Sequence, residues 1–349
     1  MRILKYKIPI IVLSILVLAN CKKTKSIESV PEVWVEYGDF SGRNKVLLNS
    51  YGDSSYLQVI GVHRLTIYNK AGNSANWSTS ADYGILERPP TMPNYFIERT
   101  GTKPYSEVKI YSLPDLGRAT STFTVGEADS TCSSVDIIPS FRGESILTNN
   151  NNQMLVAYQA FNKQNEYKRK YILGTLVNGQ MREVKVVQAQ ENKLSITGNS
   201  HGNNFYLSDI SSTYRINSNG DPRKVSDVGL DRIFYLDNVL WGISTFGAIY
   251  TSTNQGEDWN RFSPNLQRDW AGLHYANVNG HVFAFHRAKV YEMTHSKLNG
   301  SSTLSLKEID NTGLDNTEIT SISYFKGHYY VTTYNGLFRK SEGNFFTFK

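Results

Sequence analysis

Cysteine is scarce in this chain, with two in 349 residues. Cys21 ends an apolar run and Cys132 stands alone, which excludes a disulfide framework and a thiolate metal site. Long hydrophobic runs are scarcer still. The one candidate, Ile8 to Ala19, would span about 18 Å as a helix, well short of a bilayer core of roughly 30 Å. A net field of one sign is missing from the body of the chain as well. The formal charge is +6 overall, but Arg2, Lys5, Lys7, Lys22, Lys23 and Lys25 supply it, and residues 26–349 sum to zero. A field able to draw in nucleic acid is therefore excluded. No Gly-rich phosphate loop, Gly-x-Ser-x-Gly elbow, His-Glu-x-x-His helix or EF-hand spacing occurs, so no cofactor and no metal site is expected from motifs.

What is present begins with the N-terminus. The basic residues before Ile8 and the short apolar run that follows have the form of a secretory signal peptide. Leu18-Ala19-Asn20-Cys21 resembles the bacterial lipobox, with Asn20 where a smaller residue is usual. That resemblance implies cleavage before Cys21 and lipidation on it, giving an acyl anchor strong enough for stable membrane attachment. In such lipoproteins Lys22 favours the outer membrane. Without an acidic run after Cys21, the periplasmic face is expected rather than the cell surface. Residues 1–20 are then a signal peptide, 21–30 the lipidated Cys and a flexible tether, and 31–349 the folded domain.

Aromatic residues are plentiful at 12%, with 22 Tyr, a composition suited to half-buried strand positions. Strand and turn signals recur at intervals. Ile319 to Tyr324 alternates, Phe325-Lys326-Gly327-His328 turns, Tyr329 to Thr333 is a second strand, and Asn335-Gly336 turns into Leu337 to Lys340. A further turn leads to Phe345–Phe348, which reads as a fourth strand. Second strands of the same kind are expected at Tyr56, Tyr95, Met154, Phe205, Val239, Val282 and Tyr329, at intervals of 39, 59, 51, 34, 43 and 47 residues. The two longest imply loop insertions around residues 97–150 and 160–200. A spacing of about 45 residues is that of a propeller blade. Seven four-stranded blades are predicted, with six or eight left open. Val33 to Tyr37 is the candidate strand to close the ring.

The stretch Ser252-Thr253-Asn254-Gln255-Gly256-Glu257-Asp258-Trp259 resembles the Asp-box of sialidases, sortilin-type receptors and other BNR-repeat β-propellers. Thr312 to Lys340 likewise looks like the blade repeat of two-component-regulator propellers. In the Asp-box families Ser252, Asn254, Gly256 and Trp259 correspond to structural positions: the aromatic packs in the blade and the polar residue caps the hairpin. Asn254 stands in place of the Asp, so the turn is expected to be weaker. The sialidase arginine clamp is not matched. Its nearest counterpart, Phe141-Arg142-Gly143-Glu144, has Gly and Glu where Ile and Pro belong, and no catalytic residue is assigned.

Among the remaining candidates, His281 and His328 follow a Gly at equivalent turns and are read as repeat equivalence. Lys168-Arg169-Lys170 is read as a solvated face. Trp270 and Tyr275 are candidate ligand-facing aromatics, weighed against interblade packing. The expected function is a non-catalytic binding or scaffolding module in the cell envelope, with the membrane and an envelope protein or glycan as partners. A glycan-active hydrolase or lyase is the alternative.

Overall fold

Each predicted second strand pairs with a first and a third strand, and the repeat becomes a ring. A computed structural model describes residues 33–38, 40, 46–61, 64–78, 85–87, 95–102, 105–113, 119–132, 134–137, 146–161, 167–187, 197–262, 268–298, 301–314 and 317–349. Cys21, the expected signal peptide and tether, and Phe141 to Glu144 lie outside them. The protein is a seven-bladed β-propeller.

Blade 1 comprises Leu47–Gly52, Tyr56–Gly61, Arg64–Asn69 and Ser74–Ser78, and blade 2 Ile85–Glu87, Tyr95–Thr102, Tyr105–Ser112 and Ser121–Thr124. In blade 3, Ser134–Ile137 and Ile146–Thr148 both pair with Gln153–Phe161, followed by Tyr167–Val177 and Gln180–Val187. Blade 4 is Thr197–His201, Asn204–Ser208, Thr213–Ile216 and Pro222–Ser226, and blade 5 Leu230–Leu236, Val239–Ser244, Ile249–Ser252 and Asn260–Arg261. Blade 6 is His274–Val278, His281–His286, Lys289–Leu298 and Ser301–Glu308. Blade 7 takes Ile319–Phe325, His328–Thr333 and Gly336–Ser341, and its outer strand is Val35–Glu36. The long intervals around blades 2 and 3 are filled partly by longer strands, up to 11 residues in Tyr167–Val177, and by a helical turn at Val125–Ala128.

The core explains why the blades need one another. Among the described residues the buried apolar side chains form seven clusters, and each spans one seam between adjacent blades. Ile60 and Leu65 of blade 1 meet Phe96 and Tyr111 of blade 2. Leu47 and Leu57 meet Phe325 and Tyr330 across the closing seam. A large apolar side chain so buried contributes about 1.5–3 kcal/mol, and here it does so only when the neighbouring blade is in place. The closing seam is also polar. Ser50 Oγ lies 2.8 Å from Ser323 Oγ and 3.0 Å from Ser321 Oγ, and Thr320 donates to the Leu47 carbonyl at 2.9 Å. Backbones approach so closely here that a Cβ on Gly52 would fall 1.9 Å from the Tyr324 carbonyl oxygen.

The N-terminal strand closes the ring as expected, with Val35 opposite Arg339 and Glu36 opposite Phe338. Trp34 is buried beside Phe345, and Tyr37 packs against both Tyr330 of blade 7 and Tyr68 of blade 1. This arrangement corrects the reading of Phe345–Phe348 as a fourth strand. Val35–Glu36 already occupies the edge of Gly336–Ser341, so the tail makes a helical turn, Glu342–Phe345, and Phe348 bridges to Ile309 in the preceding connection. Buried Lys340 fixes that tail by donating to the Asp310 carbonyl at 3.1 Å and to Thr347 Oγ1 at 3.2 Å.

Candidate functional site: a cleft on the face opposite the Asp-box

Antiparallel blades give the ring two unlike faces. Turns between first and second strands, and between third and outer strands, lie on one face. Turns between second and third strands, with the connections from blade to blade, lie on the other.

The Asp-box hairpin of blade 5 is on the first face, and its polar groups satisfy one another. Ser252 Oγ donates to Asn254 Oδ1 at 2.9 Å and accepts from the Gly256 amide at 2.9 Å. Asn254 Oδ1 accepts the Asp258 amide at 3.1 Å, and its Nδ2 donates to the Asp258 carboxylate at 2.8 Å. The side-chain amide thus supplies a donor where an aspartate would place a second negative charge against Asp258. The hairpin also docks on blade 4. Tyr206 donates its hydroxyl to the Gln255 carbonyl at 2.7 Å, and Arg215 pairs with Glu257 at 2.9 Å. Burial pushes the Tyr206 phenol up to about 12. Gly256, at φ +73°, lies flat on the Tyr206 ring, where a Cβ would come within 2.6 Å. Trp259 packs over Gly242 of the second strand in the cluster shared with Tyr206. Asparagine closes the equivalent turns of other blades as well: Asn69 accepts from the Ala71 and Asn73 amides, and Asn217 from those of Asn219 and Asp221.

The other face is built differently. Its strand-two to strand-three turns carry Ile210 in blade 4, Phe246 in blade 5, Arg287 in blade 6 and Tyr334 in blade 7. Phe246 and Ile210 are the two most exposed large apolar side chains among the described residues, at 59% and 56%; Tyr334 is 48% exposed, as is Val177 at the blade 3 turn on the other face. Side-chain caps close three of these turns. Asp209 accepts the Ser211 and Ser212 amides at 2.6 and 2.7 Å, Ser244 Oγ the Ala248 amide at 3.0 Å, and Thr333 Oγ1 the Asn335 amide at 3.0 Å. Arg287 sits at φ +50°, a left-handed conformation that carries strain in a residue with a Cβ.

Between blades 6 and 7 this face opens into a cleft of about 890 Å³, within the range of small-ligand sites. The helical turn Arg268–Ala271 brings Asp269 to it. The blade 6 hairpin supplies His286, Arg287, Ala288 and Lys289, the entry to blade 7 supplies Thr317 and Glu318, and its tip supplies Tyr334 and Asn335. Backbone bonds join these walls: Ile319 donates to the Arg287 carbonyl at 2.9 Å and Tyr334 to the Glu318 carbonyl at 3.3 Å. Lys289 is paired with Glu308 at 3.1 Å, and that bond raises its pKa. The side chains of Asp269, His286, Arg287 and Glu318 make no hydrogen bond or ion pair among the described residues. Thr317 is only 7% exposed, and its buried hydroxyl has no hydrogen-bond partner among the described residues.

Trp270 and Tyr275 lie behind this cleft rather than in it. Tyr275 stacks on Phe234 at 5.4 Å and donates to the Trp270 carbonyl at 2.9 Å, and Trp270 packs on the cluster shared by blades 5 and 6. Burial raises the Tyr275 pKa. Together they brace the helical turn that carries Asp269. His281 and His328 are absorbed by their turns, His281 against Glu292 at 2.9 Å and His328 against the Lys326 carbonyl at 3.0 Å.

Lys170 corrects the reading of its basic run as solvated. It is buried at the seam of blades 2 and 3 and pairs with Asp129 at 2.7 Å. Asp129 also accepts from Tyr158 at 2.6 Å and from Cys132 at 3.1 Å. Burial pushes the Asp129 carboxyl up, but hydrogen bonds from Lys170, Thr131, Tyr158 and Cys132 outweigh it and hold the group well below the usual range.

The cleft residues were missed in the sequence because no motif marks them. A signal existed: aligning the blades on their second strands puts apolar Ile210, Phe246 and Tyr334 at turn positions where polar residues are the rule.

No protein-family model matches the chain, and no curated protein matches it. Solved structures resemble it in fold alone. A streptogramin B lyase superposes with a TM-score of 0.51 at 10% identity, covering 88% of this chain and 95% of that one. The WD40 β-propeller domain of Doa1 gives 0.51 at 11% identity over 89% and 99%. A virginiamycin B lyase from Staphylococcus aureus gives 0.50 at 12% identity over 88% and 97%.

Proposed function

We propose that this chain is a cell-envelope lipoprotein, anchored through Cys21, whose propeller is a non-catalytic binding or scaffolding module for a protein or glycan. The observation that carries the reading is the row of exposed apolar tips, Ile210, Phe246 and Tyr334, on the face where Tyr334 also lines an open cleft. The outer membrane, with the periplasmic face favoured, is the location in keeping with Lys22.

The alternative is a glycan-active hydrolase or lyase. It draws on Asp269 and Glu318, two carboxylates lining the same cleft. Crosslinking capture from envelope extract, run beside assays on chromogenic glycosides, separates the two. Capture of one protein or glycan without turnover is expected. Turnover abolished by Glu318→Gln or Asp269→Asn would sink the binding module. The Cys21→Ala chain is expected in the soluble fraction.

A further inference from the structure

Cys132 is isolated in the sequence but not in the fold. It is half-buried in the connection from blade 2 to blade 3, just before Ser134–Ile137. Its Sγ lies 3.4 Å from Nζ of buried Lys170, 38 positions away in the third strand of blade 3. We propose that Cys132 and Lys170 form an oxidative modification site, at which dissolved dioxygen joins Sγ to Nζ through one bridging oxygen atom.

Both reacting groups are held in place by Asp129. Its Oδ1 accepts the Thr131 amide at 3.2 Å and its carbonyl the Cys132 amide at 3.3 Å, which fixes the turn carrying the thiol. Lys170 stands opposite Tyr158 in the strand register, and the two side chains donate to Asp129 Oδ2 at 2.7 and 2.6 Å. The entropy of bringing sulfur and nitrogen together is therefore already lost in folding. Nζ is also closer to the sulfur than the Thr131 hydroxyl is, at 3.6 Å.

The same carboxylate touches both groups that must lose protons, since the Cys132 thiol donates to Asp129 Oδ2 at 3.1 Å beside Lys170. Access favours a small oxidant. Lys170 is 9% exposed, whereas Cys132 is half-buried and Thr131 exposed, so dioxygen arrives from the sulfur side. No second cysteine among the described residues is there to divert the oxidised sulfur into a disulfide.

In the reaction, the S–H bond and two N–H bonds of the ammonium break, and S–O and N–O bonds form on one oxygen atom. Sulfur and nitrogen each give up two electrons, and the O–O bond is cleaved. The second oxygen atom leaves as water with two of the protons, and the third proton passes to Asp129 and on to solvent. A buried ammonium is thereby replaced by an uncharged link. Excess dithiothreitol supplies the four electrons that reverse the step, releasing the bridging oxygen as water.

The test takes the reduced full chain, divides it between air-saturated and oxygen-free buffer, and maps the digested peptides by mass. In air, a peptide joining Cys132 to Lys170 is expected, heavier than its two parts by one oxygen atom less two hydrogen atoms. Isotopically heavy dioxygen should shift that mass, heavy-oxygen water should not, and dithiothreitol should remove the joined peptide. Lys170→Arg keeps a cation beside Asp129 and should abolish the link, as should Cys132→Ser. If Lys170→Arg does not fold, the wild-type map and Cys132→Ser still decide. An oxidised Cys132 beside an unmodified Lys170, a joined peptide lacking the oxygen atom, or no change in air each overturns the proposal.

Discussion

The two faces of the ring are made by the same kind of hairpin and differ in what their polar and apolar groups do. On the Asp-box face, Ser252, Asn254 and Asp258 form a closed set, and Gly256 and Gln255 are engaged by Tyr206 of the preceding blade. On the cleft face, side-chain caps close the tips of blades 4, 5 and 7, but the side chains of Ile210, Phe246, Arg287 and Tyr334 are left to solvent. The lesson is that the recognisable repeat marks where the fold holds itself together. The part available for a partner is where the repeat varies. Blade 3 qualifies the contrast, because near the cleft-side end of its second and third strands Tyr158 and Lys170 are fully engaged with Asp129.

That exception gives the largest expected effect. Asp129→Ala leaves the Lys170 ammonium buried without its counter-charge and should cost about 3–5 kcal/mol, read as a lower urea midpoint. The pH dependence has a definite sign. Asp129 is depressed in the folded state, so its contribution is present above the ordinary aspartate range and is lost as pH falls through the folded value. Burial lowers the Lys170 pKa, yet Asp129 more than offsets this and raises it. Its contribution is therefore present below the ordinary lysine range and lost as pH rises through the folded value. The gap between wild type and Asp129→Asn should be widest around neutral pH and narrow toward both extremes.

On the Asp-box face, Gly256→Ala forces a Cβ against the Tyr206 ring at a left-handed φ and should cost about 2–3 kcal/mol. A midpoint shift no larger than that of an exposed control would mean the hairpin does not bear on blade 4. Asn254→Asp restores the residue usual in an Asp-box, yet here it sets a carboxylate against Asp258. A loss of about 1 kcal/mol is expected, smaller in high salt; a gain would show that the amide contact adds nothing. The smallest effect belongs to the cleft face. Phe246→Ala and Tyr334→Ala should each change stability by less than about 0.5 kcal/mol, and equal damage on both faces would erase the distinction drawn between them.

Most of the architecture was legible in the residues, since each expected second strand is a second strand and Val33 to Tyr37 supplies the closing one. Period-two alternation and turn residues are local properties, so they survive in a linear reading. The tail was misread because Phe345–Phe348 has strand composition. Its fate depended on Val35–Glu36 arriving from the other end of the chain. Lys170 was misread for a similar reason, as its partner Asp129 is distant in sequence and close only at a seam. Trp270 and Tyr275 look like ligand-facing aromatics until Phe234 and Trp241 are seen to pack against their helical turn.

By itself, then, the sequence determined strand spacing, turn positions, the neutral body of the chain and the Asn-closed hairpins, because these follow from backbone preference and composition. Tertiary structure alone decided which tips face solvent together and which polar groups are left unsatisfied. Thr317 and Tyr334 share a cleft with Asp269 only because ring closure brings two blades and a helical turn to one place, and no local rule encodes that meeting.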